Sequence, residues 1–295
     1  MEHSQDISVL AIDGGGTRCR IAISKGDKIV LSETGSANIS TDFEGAVHEV
    51  LRGLNGLATQ LNWPVDTLAA LPAFIGLAGV SEPKMADRLR AALPFHKMRI
   101  ADDRPAALRG ALGEKDGFIA HCGTGSFYAA QQKGAARFAG GWGPVLGDEA
   151  SAHWIGRAAL KATLRSVDGH IAPSPLTERL LKDFGDASGI IRFARTARPA
   201  DFGELARRVT DCAAHGDALA RDIMHKGALE IIDSLPKLGW TEGDAICLTG
   251  GIGPHFAPYL PAKMKESVVY PEGEPLVGAI ALARDFAKEP AYAHR

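Results

Sequence analysis

Cysteines are few in this sequence, and long apolar runs are absent. The 295 residues include four cysteines and no Cys-x-x-Cys pair. This scatter argues against a zinc site or a disulfide framework and is typical of proteins in a reducing compartment. No apolar run has the length needed to cross a bilayer. The polar first residues lack the order of a signal peptide. We therefore expect a cytoplasmic protein without a membrane partner.

An excess of charge of one sign is also lacking. The chain has 33 Lys and Arg against 35 Asp and Glu, a formal net charge of −2. It shows no basic face and no separate DNA-binding module, so no nucleic-acid partner is expected. The ten histidines form no H-x-x-x-H or H-E-x-x-H pattern, and no histidine metal site is predicted.

Glycines are abundant, and they follow strand-like segments. The apolar segment 7–12 leads into Asp13-Gly14-Gly15-Gly16-Thr17, after which 19–24 and 28–32 have strand character. Lys25-Gly26-Asp27 joins these last two segments and predicts a hairpin turn. A Rossmann domain would enter a helix directly after its glycine turn. The order found here predicts antiparallel strands instead.

The same order returns about 110 residues later. Residues 117–122 have strand character, Gly123-Thr124-Gly125 form a glycine turn, and residues 126–132 make a second strand. Two structurally related α/β domains that face each other are therefore expected, divided near Gly113. Helices are predicted at 42–61, 82–93, 105–112, 148–165, 175–184, 201–214, 217–238 and 275–287, and further strands at 74–79, 98–101 and 245–248. Ser40 or Thr41 is the expected N-cap of the first helix.

Two of the glycine turns suit the binding of phosphate. Glycine backbones can approach an anion closely, and their N–H groups can converge on its oxygens. Asp13 suits a magnesium ion bound through water, although a tight hairpin with a turn-forming aspartate is the alternative. Thr124 and Ser126 add hydroxyl donors to the second turn. Two such turns at matching positions of a repeated unit are more specific than one, because a triphosphate between two domains needs donors from both sides.

A third glycine turn and a pair of aspartates also follow strands. Gly250 and Gly251 have the form of a surface for adenine or ribose, or they only turn the chain from strand to helix. Asp102 and Asp103 precede the helix near Pro105, and one of them is expected to cap it. The other is a candidate for the base that takes the proton of an attacking sugar hydroxyl.

Three further side chains suit a sugar. Trp142 lies among glycines, and a flat ring beside small residues fits the apolar face of a sugar. Asn38 precedes the first long helix, where it serves a turn or binds sugar hydroxyls with its amide. Asp148 and Glu149 stand at a predicted helix start, where partnership with the helix dipole is the alternative to a binding role.

The order of these motifs resembles the N-acetylglucosamine kinase and benzoyl-CoA-reductase-activator (BadF/BadG) type ATPase family, in the actin-like superfamily of sugar kinases. The resemblance rests, in chain order, on Asp13-Gly14-Gly15-Gly16-Thr17, Asp103, Gly123-Thr124-Gly125-Ser126, Gly141-Trp142-Gly143, Gly147-Asp148-Glu149 and Thr249-Gly250-Gly251. It covers nearly the whole chain. Segments 13–20, 35–39 and 168–176 most resemble bacterial glucosamine kinases.

The resemblance implies an α/β fold of two actin-like (ribonuclease H-like) ATPase domains with an interdomain cleft. The first would comprise residues 1–112 and 277–295, and the second residues 113–276. ATP and Mg²⁺ are the implied cofactors. By resemblance, Asp13 assists Mg²⁺ and Asp103 is the base for the sugar 6-hydroxyl. The other implied roles are phosphate binding for Gly14, Gly15, Gly16 and Thr17, a second phosphate loop for Gly123, Thr124, Gly125 and Ser126, contacts to adenosine for Gly250 and Gly251, and a sugar site of Asn38, Trp142 and Asp148.

The reaction implied is the ATP-dependent phosphorylation of glucosamine at its 6-hydroxyl. An N-acetylglucosamine kinase is the first alternative, and a regulatory ATPase that acts on a partner enzyme is the second. Activators of this family hold an iron–sulfur cluster with cysteines across a dimer, and this chain has no second cysteine placed to pair with Cys122. A sugar-sensing repressor is a third, weaker alternative. A homodimer is compatible with the sequence.

Overall fold

A computed structural model describes residues 7–289. The chain forms two compact units, unit 1 of residues 7–114 with 271–289 and unit 2 of Lys115–Tyr270. The expected outer domain limits, residues 1 and 295, lie outside the described residues. The inner divisions differ by a few residues from 112/113 and 276/277. The reason for the second is that Glu272 and Glu274 already bond to unit 1, through Ala111 and Arg20.

Strands and helices occur in groups along the chain, with three consecutive strands at the start of each unit. The strands are β1 Val9–Gly14, β2 Cys19–Lys25, β3 Lys28–Thr34, β4 Pro72–Leu77, β5 Lys97–Ala101, β6 Gly117–Cys122, β7 Ser126–Gln132, β8 Ala135–Gly140, β9 Ile246–Thr249 and β10 Val268–Val269. The helices are α1 Phe43–Leu61, α2 Val65–Ala69, α3 Pro83–Ala92, α4 Arg104–Leu112, α5 Ala152–Val167, α6 Pro175–Phe184, α7 Ala187–Thr196, α8 Pro199–Gly203, α9 Ala206–Ala214, α10 Ala218–Lys237, α11 Ala262–Glu266 and α12 Pro275–Ala287, with a 3₁₀ helix at Gly253–Tyr259.

Unit 1 is built on a five-stranded sheet with the order β3-β2-β1-β4-β5. β2 pairs with β1 and with β3 in antiparallel fashion, whereas β4 and β5 run parallel to β1. The register pairs Lys25 with Lys28, so Gly26 and Asp27 form a two-residue turn in which Gly26 has a φ of 55°. Glycine adopts this conformation without steric cost. The predicted hairpin and the antiparallel opening are confirmed.

Both faces of this sheet are covered by helices. Leu10 and Ile12 pack in the cluster that includes the buried face of α1, while Val9 and Ala11 pack in the cluster that includes α12. Successive side chains of a strand point to opposite faces, so a strand covered on both sides has a continuous apolar sequence. A Cβ at Gly278 of α12 would lie 2.0 Å from a carbonyl oxygen of α4. The two helices therefore approach closely at that residue.

The N-cap of α1 differs from the prediction. Asp42 caps this helix, and its Oδ1 accepts a hydrogen bond from the Gly45 N–H at 2.9 Å. The expected caps, Ser40 and Thr41, were wrong because Asn38 engages both. The Asn38 side chain accepts from the Ser40 N–H, and its carbonyl accepts from the Thr41 hydroxyl.

Unit 2 repeats the arrangement of unit 1. Its five-stranded sheet has the order β10-β9-β6-β7-β8. β6, β7 and β8 are antiparallel neighbours, and β9 runs parallel to both β6 and β10. β6 and β7 therefore correspond to β1 and β2, with a glycine turn between them in each unit. The predicted repetition of strand, glycine turn and strand is confirmed.

The segment before α5 departs from the predicted helix 148–165. The helix begins at Ala152 with Ser151 as its N-cap. Asp148 and Ala150 have φ values of 59° and 65°, in the left-handed region that an α-helix excludes. The predicted helix 201–214 is divided into α8 and α9. β8, β10 and α7 have no counterpart among the predicted elements.

Within residues 7–289, each helix is too short or too polar to span a bilayer.

Candidate functional site

Three parallel strands of unit 1 end at one edge of its sheet, and two of them lead to predicted site residues. Asp13 lies near the end of β1, Gly79 follows β4, and Asp103 follows β5. The Ala78 N–H donates to the Gly14 carbonyl at 2.8 Å and ties two of these strand ends together. Ligands of open α/β sheets bind outside the carboxyl ends of the strands. The fold thus brings the first glycine loop (residues 13–17) and Asp103 to one edge.

The glycines of the first glycine loop have different surroundings. A Cβ at Gly14 would lie 2.4 Å from the Leu77 side chain, whereas a Cβ at Gly15 would have no atom within 4 Å. The Gly15 N–H donates to the Arg18 carbonyl at 2.9 Å, which closes the turn. Gly14 is therefore required for packing. The open face of Gly15 lets an anion approach the backbone.

Asp13 is paired with a cation. Arg20 lies opposite it in the register of β1 and β2, and the Arg20 Nη2 is 2.6 Å from the Asp13 Oδ2. Arg20 also bonds through its Nη1 to Glu274, the N-cap residue of α12. Burial raises the pKa of Asp13, and Arg20 opposes that shift. Since Arg20 contacts Oδ2, Oδ1 is the oxygen that remains for a hydrated magnesium ion.

Asp102 and Asp103 have separate roles. The Asp102 carboxylate accepts from the Arg104 N–H at 3.1 Å and from its Nε at 2.8 Å. Asp103 precedes α4, yet its side chain caps no amide of that helix. Burial, and then the charges of Asp102 and Asp13, raise the pKa of Asp103 to about 7. A carboxyl that titrates near neutral pH is suited to accept a proton during catalysis.

Asn38 lies beside the same edge. The Ile39 N–H donates to the Ala78 carbonyl at 3.0 Å. The Asn38 Oδ1 accepts from the N–H and the hydroxyl of Ser40 at 3.0 and 2.7 Å. The amide oxygen of Asn38 therefore stabilises a local turn, which is one of the two roles that the sequence left open. Its Nδ2 is the group that remains for a ligand.

The second glycine loop (residues 123–126) is braced by the start of α5. The Gly123 N–H donates to the Gly125 carbonyl at 2.9 Å, and the Ala152 N–H donates to the Gly123 carbonyl at 2.8 Å. Ser126 is buried, and its hydroxyl donates to the Glu149 carbonyl. The hydroxyl hydrogen of Ser126, expected to point at phosphate, is thus used within the protein.

The third glycine loop (residues 249–251) packs on the second one. Gly250 has a φ of 77°, and a Cβ there would lie 2.4 Å from the carbonyl carbon of Cys122. A Cβ at Gly251 would have no atom within 4 Å. The close neighbour of Gly250 is therefore the peptide of the second glycine loop. Gly251 alone presents an open face.

Trp142 and Asp148 differ sharply in exposure. Trp142 is 76% exposed, whereas Asp148 is buried. The Asp148 Oδ1 accepts from the Gly143 N–H at 3.2 Å, and its Oδ2 is 2.8 Å from the position of a Cβ on Gly125. Burial raises the pKa of Asp148, although hydrogen bonds from the Ser126 and Gly143 backbones oppose the shift. Asp148 thus lies between the second glycine loop and Gly143, the residue after Trp142.

The predicted site residues form two groups, one in each unit. The first group comprises Asp13, Gly14, Gly15, Gly16, Thr17, Asn38 and Asp103, and the second comprises Gly123, Thr124, Gly125, Ser126, Trp142, Asp148, Gly250 and Gly251. Such a pair of glycine-rich groups is found in more than one class of protein, and the family match distinguishes among them. Residues 10–283 match the BadF/BadG/BcrA/BcrD ATPase family. The chain belongs to this ATPase family.

Two relatives of this BadF/BadG-type protein are named as kinases. The glucosamine kinase of Vibrio cholerae is 27% identical over 278 residues, which are 93% of this chain and 95% of that protein. The N-acetylmuramic acid/N-acetylglucosamine kinase of Clostridium acetobutylicum is 30% identical over 241 residues, or 77% of this chain and 78% of that protein.

A solved structure is similar over almost the full chain. It is that of a candidate N-acetylglucosamine kinase from Chromobacterium violaceum, 30% identical, with a TM-score of 0.84. The alignment covers 95% of this chain and 99% of that one. The family resemblance and the actin-like α/β fold predicted from the sequence are confirmed.

In this BadF/BadG-type protein, Arg20 and Glu274 are the site residues that sequence patterns missed. Arg20 is a buried arginine in an apolar strand, seven residues after Asp13. A charge at a buried strand position was the available signal, because such charges are rarely buried without a partner. Glu274 lies 254 residues from Arg20 in the chain, and no local pattern connects the two.

Proposed function

We propose that this protein is an ATP-dependent hexosamine kinase that phosphorylates the 6-hydroxyl of glucosamine. One observation carries the proposal. Asp103, a carboxyl whose pKa is raised to about 7, lies at the same sheet edge as the first glycine loop and caps no helix amide. Phosphoryl transfer to a hydroxyl requires a backbone that binds phosphate and, beside it, a base that is free to accept the hydroxyl proton. The relatives named as amino-sugar kinases support the same reading.

The proposed reaction needs one proton acceptor. Asp103 takes the proton of the sugar 6-hydroxyl as that oxygen attacks the γ-phosphorus of ATP. The bond between the γ-phosphorus and the bridging oxygen breaks, and ADP leaves with that oxygen's electron pair. The products are glucosamine 6-phosphate, ADP and a proton held first by Asp103. A positioned base of this kind contributes roughly 10²–10⁴ in rate.

Unit 1 would bind the reacting phosphates. Its loop from Gly14 to Thr17 would lie against the β- and γ-phosphates, with the open face of Gly15 allowing close approach to the backbone. Within residues 7–289, no three His, Cys, Asp or Glu side chains form a metal cluster. Magnesium would therefore depend on phosphate oxygens and water, with Asp13 reaching it through water. When bound, the ion neutralises charge on the transferred phosphoryl group.

Unit 2 would bind the rest of the nucleotide. The second glycine loop, formed by Gly123, Thr124, Gly125 and Ser126, would lie against further phosphate oxygens, although the Gly123 N–H already donates to the Gly125 carbonyl and the Ser126 backbone to Asp148. We assign contact with adenosine to Gly251, which has an open face. Gly250 would act by allowing the third glycine loop to pack against the second.

The sugar would be held by Asn38, Asp103, Trp142 and Asp148. The Nδ2 of Asn38 donates to a sugar hydroxyl, and the exposed ring of Trp142 covers an apolar sugar face. The Asp148 carboxyl accepts from the Gly143 N–H, next to Trp142 in the chain. A carboxylate near the 2-position would favour an amine over a neutral acetamide.

N-acetylglucosamine is the first alternative substrate, because one relative and one structural neighbour are named for that sugar. A regulatory ATPase is the second alternative, because the family is named for ATPases. All four cysteines are buried, which disfavours an exposed iron–sulfur cluster in such a role.

A substrate panel tests the proposal. Glucosamine, N-acetylglucosamine and glucose are each supplied with ATP and Mg²⁺, and ADP release is coupled to a spectrophotometric assay. We expect glucosamine to have the highest kcat/KM, with glucosamine 6-phosphate as product. A higher kcat/KM for N-acetylglucosamine would identify that sugar as the substrate and would leave the kinase proposal standing. ADP release that no sugar accelerates would overturn the kinase proposal and favour the regulatory ATPase.

A further inference from the structure

His121 lies beside two of the proposed nucleotide-binding loops, and it has no role in the proposed phosphoryl transfer. It occupies the penultimate position of β6, two residues before Gly123. The register pairs it with Thr249 on β9 and with Phe127 on β7. Paired residues of adjacent strands project from the same face of a sheet. The three side chains therefore form a row across the carboxyl end of β6.

Two contacts hold the imidazole in this row. The His121 Nδ1 is 3.0 Å from the Thr249 Oγ1, a hydrogen-bond distance. The ring stacks on Phe127 with centroids 5.0 Å apart and an interplanar angle of 22°. Stacked rings and a single polar contact leave the imidazole one orientation. A side chain held by stacking on one face and by a hydrogen bond at its edge can transmit its position to the chain around it.

The opposite side of the ring lies against the second glycine loop. A Cβ at Gly123 would be 3.1 Å from the His121 Nε2 and 3.8 Å from its Cδ2. The third glycine loop reaches the same place through Gly250, whose Cβ position is 2.7 Å from the Gly123 nitrogen. The Ile252 N–H also donates to the Cys122 carbonyl at 3.0 Å. The two loops are thus joined at the point where His121 bonds Thr249.

We propose that His121 is a positioning residue for the nucleotide, which sets the second and third glycine loops relative to each other through its bond to Thr249. The inference rests on the proposed nucleotide site of unit 2 and adds a residue to it. ATP and ADP are the ligands affected, because these two loops are assigned to phosphate and adenosine. The sugar and the proton transfer to Asp103 are not affected directly.

The neutral form of the imidazole suits this role. Burial lowers the pKa of His121 to about 4, so the ring carries no charge at neutral pH. A neutral imidazole has one nitrogen that donates and one that accepts. It can therefore accept from or donate to the Thr249 hydroxyl without placing a cation beside the buried strand ends.

A double-mutant cycle with ADP as the probe tests the inference. The variants are His121→Phe, Thr249→Val and the double variant, with His225→Phe on the exposed surface of α10 as the matched control. The phenylalanine keeps a ring for stacking, and valine keeps the shape of threonine. Titration calorimetry measures the Kd for ADP. We expect each single variant to weaken binding by about three- to tenfold, the range for one lost hydrogen bond.

The pair should be coupled. The double variant is expected to bind ADP no more than about twofold more weakly than either single variant, because both remove the same bond. His225→Phe should match the wild type. His121→Gln, which retains a polar group near Thr249, should recover part of the affinity lost in His121→Phe. In kinetic assays, KM for ATP should rise while kcat stays within about twofold.

Fully additive effects, or wild-type affinity in Thr249→Val, would overturn the inference. Thr249→Val remains informative if His121→Phe does not fold, as judged by its thermal melting. ADP binding needs no sugar, so the outcome is independent of which sugar is phosphorylated. A wild-type protein that binds ADP but phosphorylates no sugar would refute the kinase proposal and leave this inference standing. Absence of ADP binding in the wild type would overturn both.

Discussion

The substitution Asp103→Asn removes the ionisable group that the proposed reaction uses and keeps the size of the side chain. Without the carboxylate, the sugar 6-hydroxyl has no positioned proton acceptor. We expect kcat to fall at least about a hundredfold. ADP affinity should stay unchanged, because Asp103 has no assigned contact with the nucleotide. The same substitution should make the protein more stable, because burial disfavours the charged form of Asp103.

The expected gain in stability follows from the raised pKa. The pKa of Asp103 lies at about 7 against an ordinary value of 3.8, so the folded chain holds this proton more tightly than the unfolded chain. The favourable contribution of the protonated carboxyl is fully present below about pH 4 and is lost as pH rises through 7. A pKa shift of about three units corresponds to a change of at most about 4 kcal/mol in the free energy of unfolding. Because Asp103 is partly exposed, we expect ~1–2 kcal/mol.

Urea unfolding at pH 5 and pH 8 measures this effect. Asparagine carries no charge, so the variant should be more stable than the wild type at pH 8 and show a smaller advantage at pH 5. Asp87→Asn on the exposed surface of α3 is the matched control and should show no such pH dependence. An equal stability difference at both pH values would refute the argument from burial. Near-normal turnover would show that another group is the base, with Asp102 and Asp148 next to test.

Three further substitutions test separate parts of the site. Gly250→Ala should lose most ADP affinity and lower the melting temperature, because its Cβ would lie 2.4 Å from loop backbone at a φ of 77°; Gly251→Ala has open space around its Cβ and should leave the melting temperature unchanged, and equal losses of stability would contradict the packing argument. Arg20→Met leaves Asp13 buried without its cation, so urea unfolding should show a loss of roughly 3–5 kcal/mol. Since removing Arg20 raises the pKa of Asp13 further, that loss should grow from pH 5 to pH 8; a loss independent of pH would argue against the ion pair. Trp142→Ala should raise the sugar KM about tenfold at unchanged melting temperature, because the ring is 76% exposed; an unchanged KM would remove Trp142 from the sugar site.

Local patterns were sufficient for the repeated architecture. The Lys25-Gly26-Asp27 turn lies between two strands, and its two-residue geometry depends only on adjacent residues. The long helices α1 and α10 were predicted from apolar spacing, which likewise depends on nearby positions. The order of strands and glycine turns was enough to indicate two related domains. It was also enough to recognise the family that the comparisons confirmed.

Local patterns failed where a residue's conformation depends on distant chain. Asp148 was expected to begin a helix, but its carboxylate bonds the Gly143 backbone and its φ is 59°. Gly250 packs on the Cys122 peptide, 128 residues earlier in sequence, a contact that no local pattern indicated, while its contact with a nucleotide stays a prediction. Neither contact has a signal within a few residues of chain.

The sequence by itself determined the strand–glycine turn–strand units and the types of residue that follow them, because strands, turns and helices depend on neighbouring residues. Only the tertiary structure decided how those residues divide their work. In the folded chain, Asp102 binds Arg104, and the Asp103 side chain caps no helix amide. The tertiary structure joined Arg20 to Asp13 and also to Glu274, which is 254 residues away in the chain. Burial and charge at one sheet edge set these pairings, and both depend on which segments pack together.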